Sequence, residues 1–195
     1  MKNNQVTLSG CIASEFIFSH EILGEKFFTV YVEVGRTSEA VDLLPVMFSE
    51  RIINTNDNYI NEAISIIGEF RSYNQPDTLR NHLVLNIFVL GYEWIGDSEN
   101  INDAALVGFI CKPPVYRKTP LGREIADVLL AVNRQYGKSD YIPCICWGRN
   151  ARYAETLEVG TRISVKGRIQ SREYMKEEEK KTAYEFSVSS MEVVE

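Results

Sequence analysis

The segment KSDYIPCICWGRNAR, Lys138 to Arg152, holds the residues whose types and spacing best suit a chemical task. Read as an extended strand, it puts Tyr141, Pro143, Ile145 and Trp147 on one face and Ile142, Cys144 and Cys146 on the other. At about 3.3 Å per residue the Tyr141 and Trp147 rings stand roughly 20 Å apart. Lys138 precedes them, and Arg149 and Arg152 follow. Rings that stack bases beside cations that hold phosphates are the working parts of a sequence-tolerant single-strand binder. The alternative is an ordinary strand whose aromatics belong to a core.

Nothing in the sequence points to catalysis. There is no Ser/His/Asp set, no cysteine near a histidine, no carboxylate cluster for Mg²⁺, and no phosphate-cradling glycine motif. Cys11, Cys111, Cys144 and Cys146 lack metal-ligand spacing, and His20 and His82 are remote from them in sequence. The expectation is a non-enzymatic chain without cofactor, metal or small-molecule substrate. Cys144 and Cys146 read as buried, reduced thiols.

More cations lie around the ring pair. Arg117 and Lys118 fall in YRKTPLGRE, read as a loop before a strand, and Arg134 and Tyr136 fall where that strand runs out. Arg168, Gln170, Arg172 and Tyr174 share one strand parity and so one face. Arginine is almost never buried unpaired, so cations interleaved with aromatics across three strands suit a groove better than a core.

The net charge of −6 looks wrong for such a groove until it is divided. Residues 1–102 carry six Lys and Arg against fourteen Asp and Glu, whereas residues 103–175 carry twelve against seven. The run Glu177, Glu178 and Glu179 reads as a solvated hairpin tip. Only the second half offers a basic surface. No apolar run is long enough for a membrane span, and MKNNQVTLSG has no secretory h-region, so a cytoplasmic, nucleoid-associated protein is expected.

Self-comparison supplies the architecture. At an offset of 98, Gly10 matches Gly108, Gly24 matches Gly122, Arg36 matches Arg134, Asp42 matches Asp140 and Pro45 matches Pro143. After a one-residue insertion, Gly68 matches Gly167 and Ser72 matches Ser171. The sequence therefore predicts an N-terminal domain over 1–95, a linker over 96–102 and a C-terminal domain over 103–195. Strands are expected at Gln5–Phe16, Lys26–Arg36, Val41–Phe48, Ala63–Tyr73 and His82–Trp94. In the second half they are expected at Ala104–Lys112, Glu124–Arg134, Tyr141–Trp147, Thr161–Tyr174 and Thr182–Val194. Asn150–Leu157 reads as a short helix with Asn150 as N-cap, ended by Gly160. The fold class is all-β: two tandem five-stranded OB-fold barrels, each with a short helix between strands 3 and 4. A pair of small β-sandwiches is the alternative.

The stretches LVGFICKPPVYRKTPLGREIADVLLAVNR, YIPCICWGR and VKGRIQSREY resemble the bacterial single-stranded DNA-binding protein (SSB) family in order and spacing, over roughly residues 104–175. By that resemblance, Tyr136, Tyr141, Trp147 and Tyr174 fall at base-stacking positions, and Arg149 and Arg172 at or beside backbone-contacting ones. Arg117, Lys118, Arg134 and Arg168 join them from charge and parity. In the first half Leu43 and Ser49 replace the Tyr141 and Trp147 rings, and Arg71 and Tyr73 are expected to keep a reduced secondary contact. With MEVVE where the family's acidic recruiting tail would follow, recruitment through a tail is not expected, and the acidic first half is expected to serve instead. The resemblance implies single-stranded DNA binding in replication, recombination or repair, a homodimer presenting four OB-folds, and replication proteins as partners. The competing reading is an SSB-like or primosomal accessory module with weak nucleic-acid binding. RNA binding is a variant, since stacking does not by itself exclude a 2′-OH.

Overall fold

Two barrels of the same topology follow one another along the chain, as a computed structural model describing residues 2–76, 81–176 and 178–195 shows. In the first repeat the strands are β1 (Asn4–Ile12), β2 (Ile17–Ile22), β3 (Glu25–Gly35), β4 (Val41–Ser49), β5 (Ala63–Pro76) and β6 (Asn81–Trp94). The second contributes β7 (Asn102–Ile110), β8 (Val115–Lys118), β9 (Glu124–Asn133) and β10 (Ser139–Trp147). It continues through the helix α1 (Arg149–Glu155) to β11 (Arg162–Lys176) and β12 (Glu179–Val193).

Within the first repeat the strand order is β2-β3-β4-β6-β5-β1, and β1 closes on β3. In the second it is β7-β11-β12-β10-β9-β8, and β7 closes on β9. Leaving out the appended β2 and β8, each is a five-stranded closed barrel whose third and fifth strands pair in parallel, β4 with β6 and β10 with β12. This is the OB-fold, with closure removing the sheet edges.

The repeat is physical as well as textual. Phe27 pairs with Ser49 as Ile125 pairs with Trp147, and Val34 pairs with Asp42 as Val132 pairs with Asp140. The matched glycines sit where strands cross too closely for a side chain. A Cβ on Gly10 would come within 2.3 Å of the Glu33 carbonyl, and one on Gly108 within 2.5 Å of the Ala131 carbonyl. A Cβ on Gly68 would lie 2.5 Å from the Phe88 carbonyl, and one on Gly167 1.9 Å from the Ser187 carbonyl. Each core is filled from alternating positions: Val30, Val32, Leu44, Val46 and Phe48 in the first, Val128, Leu130, Ile142, Cys144 and Phe186 in the second.

Four expectations need correcting. The helix is present in the second repeat alone among the described residues; the first repeat has turns there. The cause is local. In the first repeat Asn54 and Asn58 side chains accept the N–H groups of Asn56 and Ile60 at 3.2 and 3.0 Å, a bonding pattern that competes with helix. RNARYAE, with two buried alanines, has no such competitor. The helix also starts earlier than expected: Gly148 is its N-cap, and Asn150 instead donates to the Ser189 carbonyl at 3.0 Å. It ends at Thr156, so Gly160, with φ +91°, shapes the following turn. Finally, β2 and β8 are strands, each hairpinned to its successor through a left-handed glycine, Gly24 or Gly122. Arg117 and Lys118 therefore lie on β8 rather than in a loop.

The chain divides into two compact units. One is Val6–Phe70 with Leu85–Asn102. The other is Asp103–Glu195 together with Met1–Gln5 and Arg71–Val84. β5 and β6 are each 14 residues long, and the far end of their hairpin belongs to the unit of the second barrel. The polar segment at 96–102 is tied to the first barrel: Asn100 Oδ1 accepts the Gly35 N–H at 2.8 Å, and the Ile101 carbonyl accepts that of Ser9 at 2.8 Å.

Candidate nucleic-acid interface

The outer face of the second barrel is set by strand parity. Along β9, Ala126, Val128, Leu130 and Val132 turn inward, which leaves Asp127, Leu129 and Ala131 outward; Ile125 shares their parity but is buried. Register then carries this face across the sheet. Trp147 on β10 and Arg117 on β8 both stand opposite Ile125, so the three form one row, with Trp147 and Arg117 exposed on either side of a buried Ile125. Tyr141 stands opposite Ala131. Ile145 pairs with Ser187 on β12, which in turn pairs with Arg168 on β11.

The four predicted rings are all solvent-exposed. Tyr141 is 43% exposed, Trp147 37% and Tyr174 38%. Trp147 Nε1 donates to Ser187 Oγ at 3.3 Å, which orients the indole while leaving ring area open. The Arg172 guanidinium lies 5.8 Å from the centre of the Tyr174 ring. Tyr136 is the extreme case at 96% exposure, with φ +63° and ψ +31°, followed by Gly137 at φ +70°. Two successive left-handed residues make the tip of the β9–β10 connection, and tyrosine is a costly choice at such a φ.

The cations divide into free and engaged groups. Lys118 and Arg149 are exposed, and Arg149 is the first residue of α1 rather than part of the third strand. Arg168 is half-buried, and its side chain has no ion pair or hydrogen bond among the described residues. Arg117 is paired with Asp127 at 3.0 Å, and both are about half exposed, so the pair is weakly held. Arg172 lies 3.7 Å from Glu185, a nearly buried carboxylate that also accepts from Gln170 at 2.7 Å. Gln170 is buried in that bond and does not join the outward set expected from parity. Lys112, Arg123, Lys138 and Lys166 are also exposed cations of this barrel. Sequence reading singled out Lys138 alone of these, because the others stand beside no ring.

Arg134 has a different job. Its Nη2 meets Asp140 Oδ1 at 2.8 Å, and the Asp140 side chain is fully buried. Burial pushes the Asp140 carboxyl above its usual range, against the Ser72 N–H, Arg134 and Arg71, which favour the charged form. The first repeat builds the same pair, Arg36 Nη2 to Asp42 Oδ1 at 2.5 Å, although it lacks the Tyr141 and Trp147 rings. A pair kept where the rings are missing serves the fold.

Arg71 and Tyr73 lie on β5, within the unit of the second barrel. Tyr73 is 39% exposed and Arg71 is half-buried. Between them, Ser72 bonds to the β9–β10 region: its Oγ accepts the Tyr141 N–H at 2.7 Å and its N–H donates to Asp140 Oδ1 at 2.7 Å. Arg71 and Tyr73, expected to keep a reduced contact, thus flank the residue that bonds Tyr141. Register also exposes a ring that the sequence did not single out: Phe109 on β7, opposite Ala131 like Tyr141.

The first barrel differs at each matching point. Leu43 stands where Tyr141 does, and the Ser49 hydroxyl donates to Glu25 Oε1 at 2.5 Å where Trp147 would stand. Its aromatics pack on one another: Tyr59 stacks on Trp94 at 4.8 Å, and Tyr92 meets Phe48 edge-on at 5.6 Å. The Tyr59 hydroxyl donates to Asp57, placing a carboxylate beside that cluster. Among the described residues no group of three or more His, Cys, Asp and Glu is placed to hold an ion. Burial pushes the Cys146 thiol up to about 12 and that of Cys144 well above its ordinary value, so neither is a thiolate at neutral pH. Of the acidic run, Glu177 lies outside the described residues, and Glu178 and Glu179 are exposed at the β11–β12 tip.

Comparison with known proteins points the same way. Residues 101–194 match the single-strand binding protein family. Single-stranded DNA-binding protein B of Bacillus subtilis is 38% identical over 84 residues, covering 40% of this chain and 74% of that protein. Single-stranded DNA-binding protein A of the same organism is 38% identical over 81 residues, covering 38% of this chain and 47% of that protein. Protein 2 of Listeria innocua gives 38% over 81 residues and covers 51% of that protein. For these last two the match spans about half of their length. The crystal structure of the single-stranded DNA binding protein from Thermus aquaticus superposes with a TM-score of 0.81 at 16% identity, over 98% of this chain and 93% of that one. At that identity the likeness concerns the fold, and it extends over both repeats.

Proposed function

The chain belongs to the single-strand binding protein family, and we propose that it binds single-stranded DNA without sequence preference through the outer face of its second barrel. The observation that carries this reading is the exposure of Tyr136, Tyr141, Trp147 and Tyr174 on one barrel that also carries the exposed cations. Bases stack on the rings at about 1–3 kcal/mol each, tolerantly, because every base has a π-face. Lys118, Arg149, Arg168 and Arg172 hold phosphates, with Arg117 released from Asp127 to join them; Arg71 and Tyr73 extend the same path. Arg134 is left out of the contact set, since Asp140 and the Ser72 carbonyl occupy it.

No residue is assigned a catalytic role. The protein acts on DNA in the cytoplasm, in replication, recombination or repair, as a homodimer that presents four OB barrels. The first barrel, acidic and without the two rings, serves assembly or the docking of replication proteins rather than DNA. Fluorescence anisotropy of labelled dT oligomers of increasing length, at two salt concentrations, tests the reading. Affinity should rise with length to a plateau and fall steeply with salt, by a slope of about −0.7 per phosphate neutralised. Competition by poly(dT) against poly(U) separates DNA from RNA. A protein that binds neither polymer would leave the accessory-module reading in its place.

A further inference from the structure

The β9–β10 connection, which carries Tyr136 at its tip and Tyr141 at its exit, is bonded at both ends to one residue of the other repeat's hairpin. On one side β10 pairs with β9 along its whole length, Ser139 to Trp147. On the other, among the described residues, β12 pairs with it at Cys144–Cys146 and not at Ser139–Pro143. The Tyr141 N–H points to that uncovered edge, where a strand neighbour would normally accept it. Ser72 stands in for the missing strand. Its Oγ accepts the Tyr141 N–H at 2.7 Å, its N–H donates to Asp140 Oδ1 at 2.7 Å, and its carbonyl accepts Arg134 Nη2 at 3.1 Å. Ser72 is 4% exposed, so water does not compete for these bonds. Arg134 and Asp140 are themselves joined at 2.8 Å, which closes the base of the connection.

We propose that Ser72 is a positioning residue for base stacking: its hydroxyl and backbone fix where the connection holds the Tyr136 and Tyr141 rings, so that the DNA affinity of the second barrel depends on the hairpin grown from the first. This rests on the reading that these rings stack bases. The pattern is asymmetric in sequence but direct in space: Ser72 lies 69 residues from Tyr141, and no local motif joins them. It also gives the length of β5 and β6 a purpose, since their far ends leave the first barrel's unit for the second's.

The test compares full-length wild type, Ser72→Ala and Ser72→Thr in anisotropy titrations with dT oligomers at two salt concentrations. Ser72→Ala is then repeated in a Tyr136→Ala/Tyr141→Ala background. Removing the hydroxyl should weaken binding about fivefold or more, the lower end of what one stacked base supplies. The salt slope should stay unchanged, because rings and not cations are displaced. Threonine, which keeps the acceptor, should restore affinity. In the ring-less background Ser72→Ala should cost less than about twofold, the scatter of independent sites. Wild-type affinity in Ser72→Ala, or an equal loss in both backgrounds, overturns the proposal. If Ser72→Ala lacks the wild-type melting transition, Ser72→Cys, with its weaker acceptor, replaces it under the same criteria. A wild-type protein that binds no oligomer is a separate outcome, which refutes the stacking face itself and the positioning role with it.

Discussion

Replacing Tyr136 with asparagine separates what that residue does for DNA from what it does to the fold. Its backbone is left-handed, φ +63° and ψ +31°, and Gly137 after it is at φ +70°. The Arg134 N–H closes the turn on the Lys138 carbonyl at 2.7 Å. Tight turns with two left-handed residues favour Asn-Gly, and a tyrosine held there costs on the order of 1 kcal/mol. The ring returns almost nothing, because at 96% exposure it buries negligible apolar area. Tyr136→Asn should therefore stabilise the protein by about 0.5–1 kcal/mol, a rise in Tm of about 1–4 °C for a chain of this size. The same change removes one stacking platform, worth about 1–3 kcal/mol, so affinity for a saturating dT oligomer should fall about 5- to 150-fold. The salt slope should not move, since no cation is lost. Calorimetry and anisotropy on one preparation read both effects. A variant less stable than wild type would show that the ring supports the fold, and one that keeps affinity within about twofold would show that it is not a platform.

Three further outcomes follow from the geometry. Arg134→Ala leaves the buried Asp140 carboxylate without its cation and should cost about 3–5 kcal/mol of stability by urea denaturation, and Arg36→Ala should act in the same direction through Asp42. Hydrogen bonding by Tyr116 and the nearby Arg152 lower the Glu124 carboxyl below its usual 4.5, so its stabilising contribution is present above that pH and is lost as pH falls through the lower folded value. Melting curves of Glu124→Gln against wild type should show wild type the more stable at pH 6 and the difference shrinking as pH falls below 4.5. Gly167→Ala would drive a Cβ to 1.9 Å from the Ser187 carbonyl, and since that neighbour is backbone, the strands must part, at a cost of about 1–3 kcal/mol in the same denaturation assay.

Much of the fold was legible because the repeat is written in residues with rigid duties. Gly10 and Gly108, Gly68 and Gly167 match because strands cross too closely for any Cβ, and Arg36–Asp42 and Arg134–Asp140 match because each gives a buried aspartate its half-buried cation. Those constraints act in both barrels whatever either one binds. β2 and β8 escaped notice because IFSHEI and VYRK are edge strands, half or more exposed and without apolar alternation. A helix in the first repeat was expected by symmetry, but its asparagines bond to their own backbone. At the interface, the parity of Tyr141 and Trp147 on a strand was readable directly. The engagement of Arg134 was not, because its charge signals a phosphate contact equally well until Asp140 is seen beside it. The same holds for Ser72, whose partners lie in the other repeat.

Intrinsic fluorescence tests the central claim most directly, because the chain has two tryptophans in contrasting places: Trp147 on the outer face of the second barrel and Trp94 stacked on Tyr59 in the first. Titration with dT oligomers should quench the emission in a manner that saturates with oligomer length and weakens with salt, and the quenching should vanish in Trp147→Phe while persisting in Trp94→Phe. Quenching that survives Trp147→Phe and disappears in Trp94→Phe would place the DNA on the first barrel and contradict the assignment.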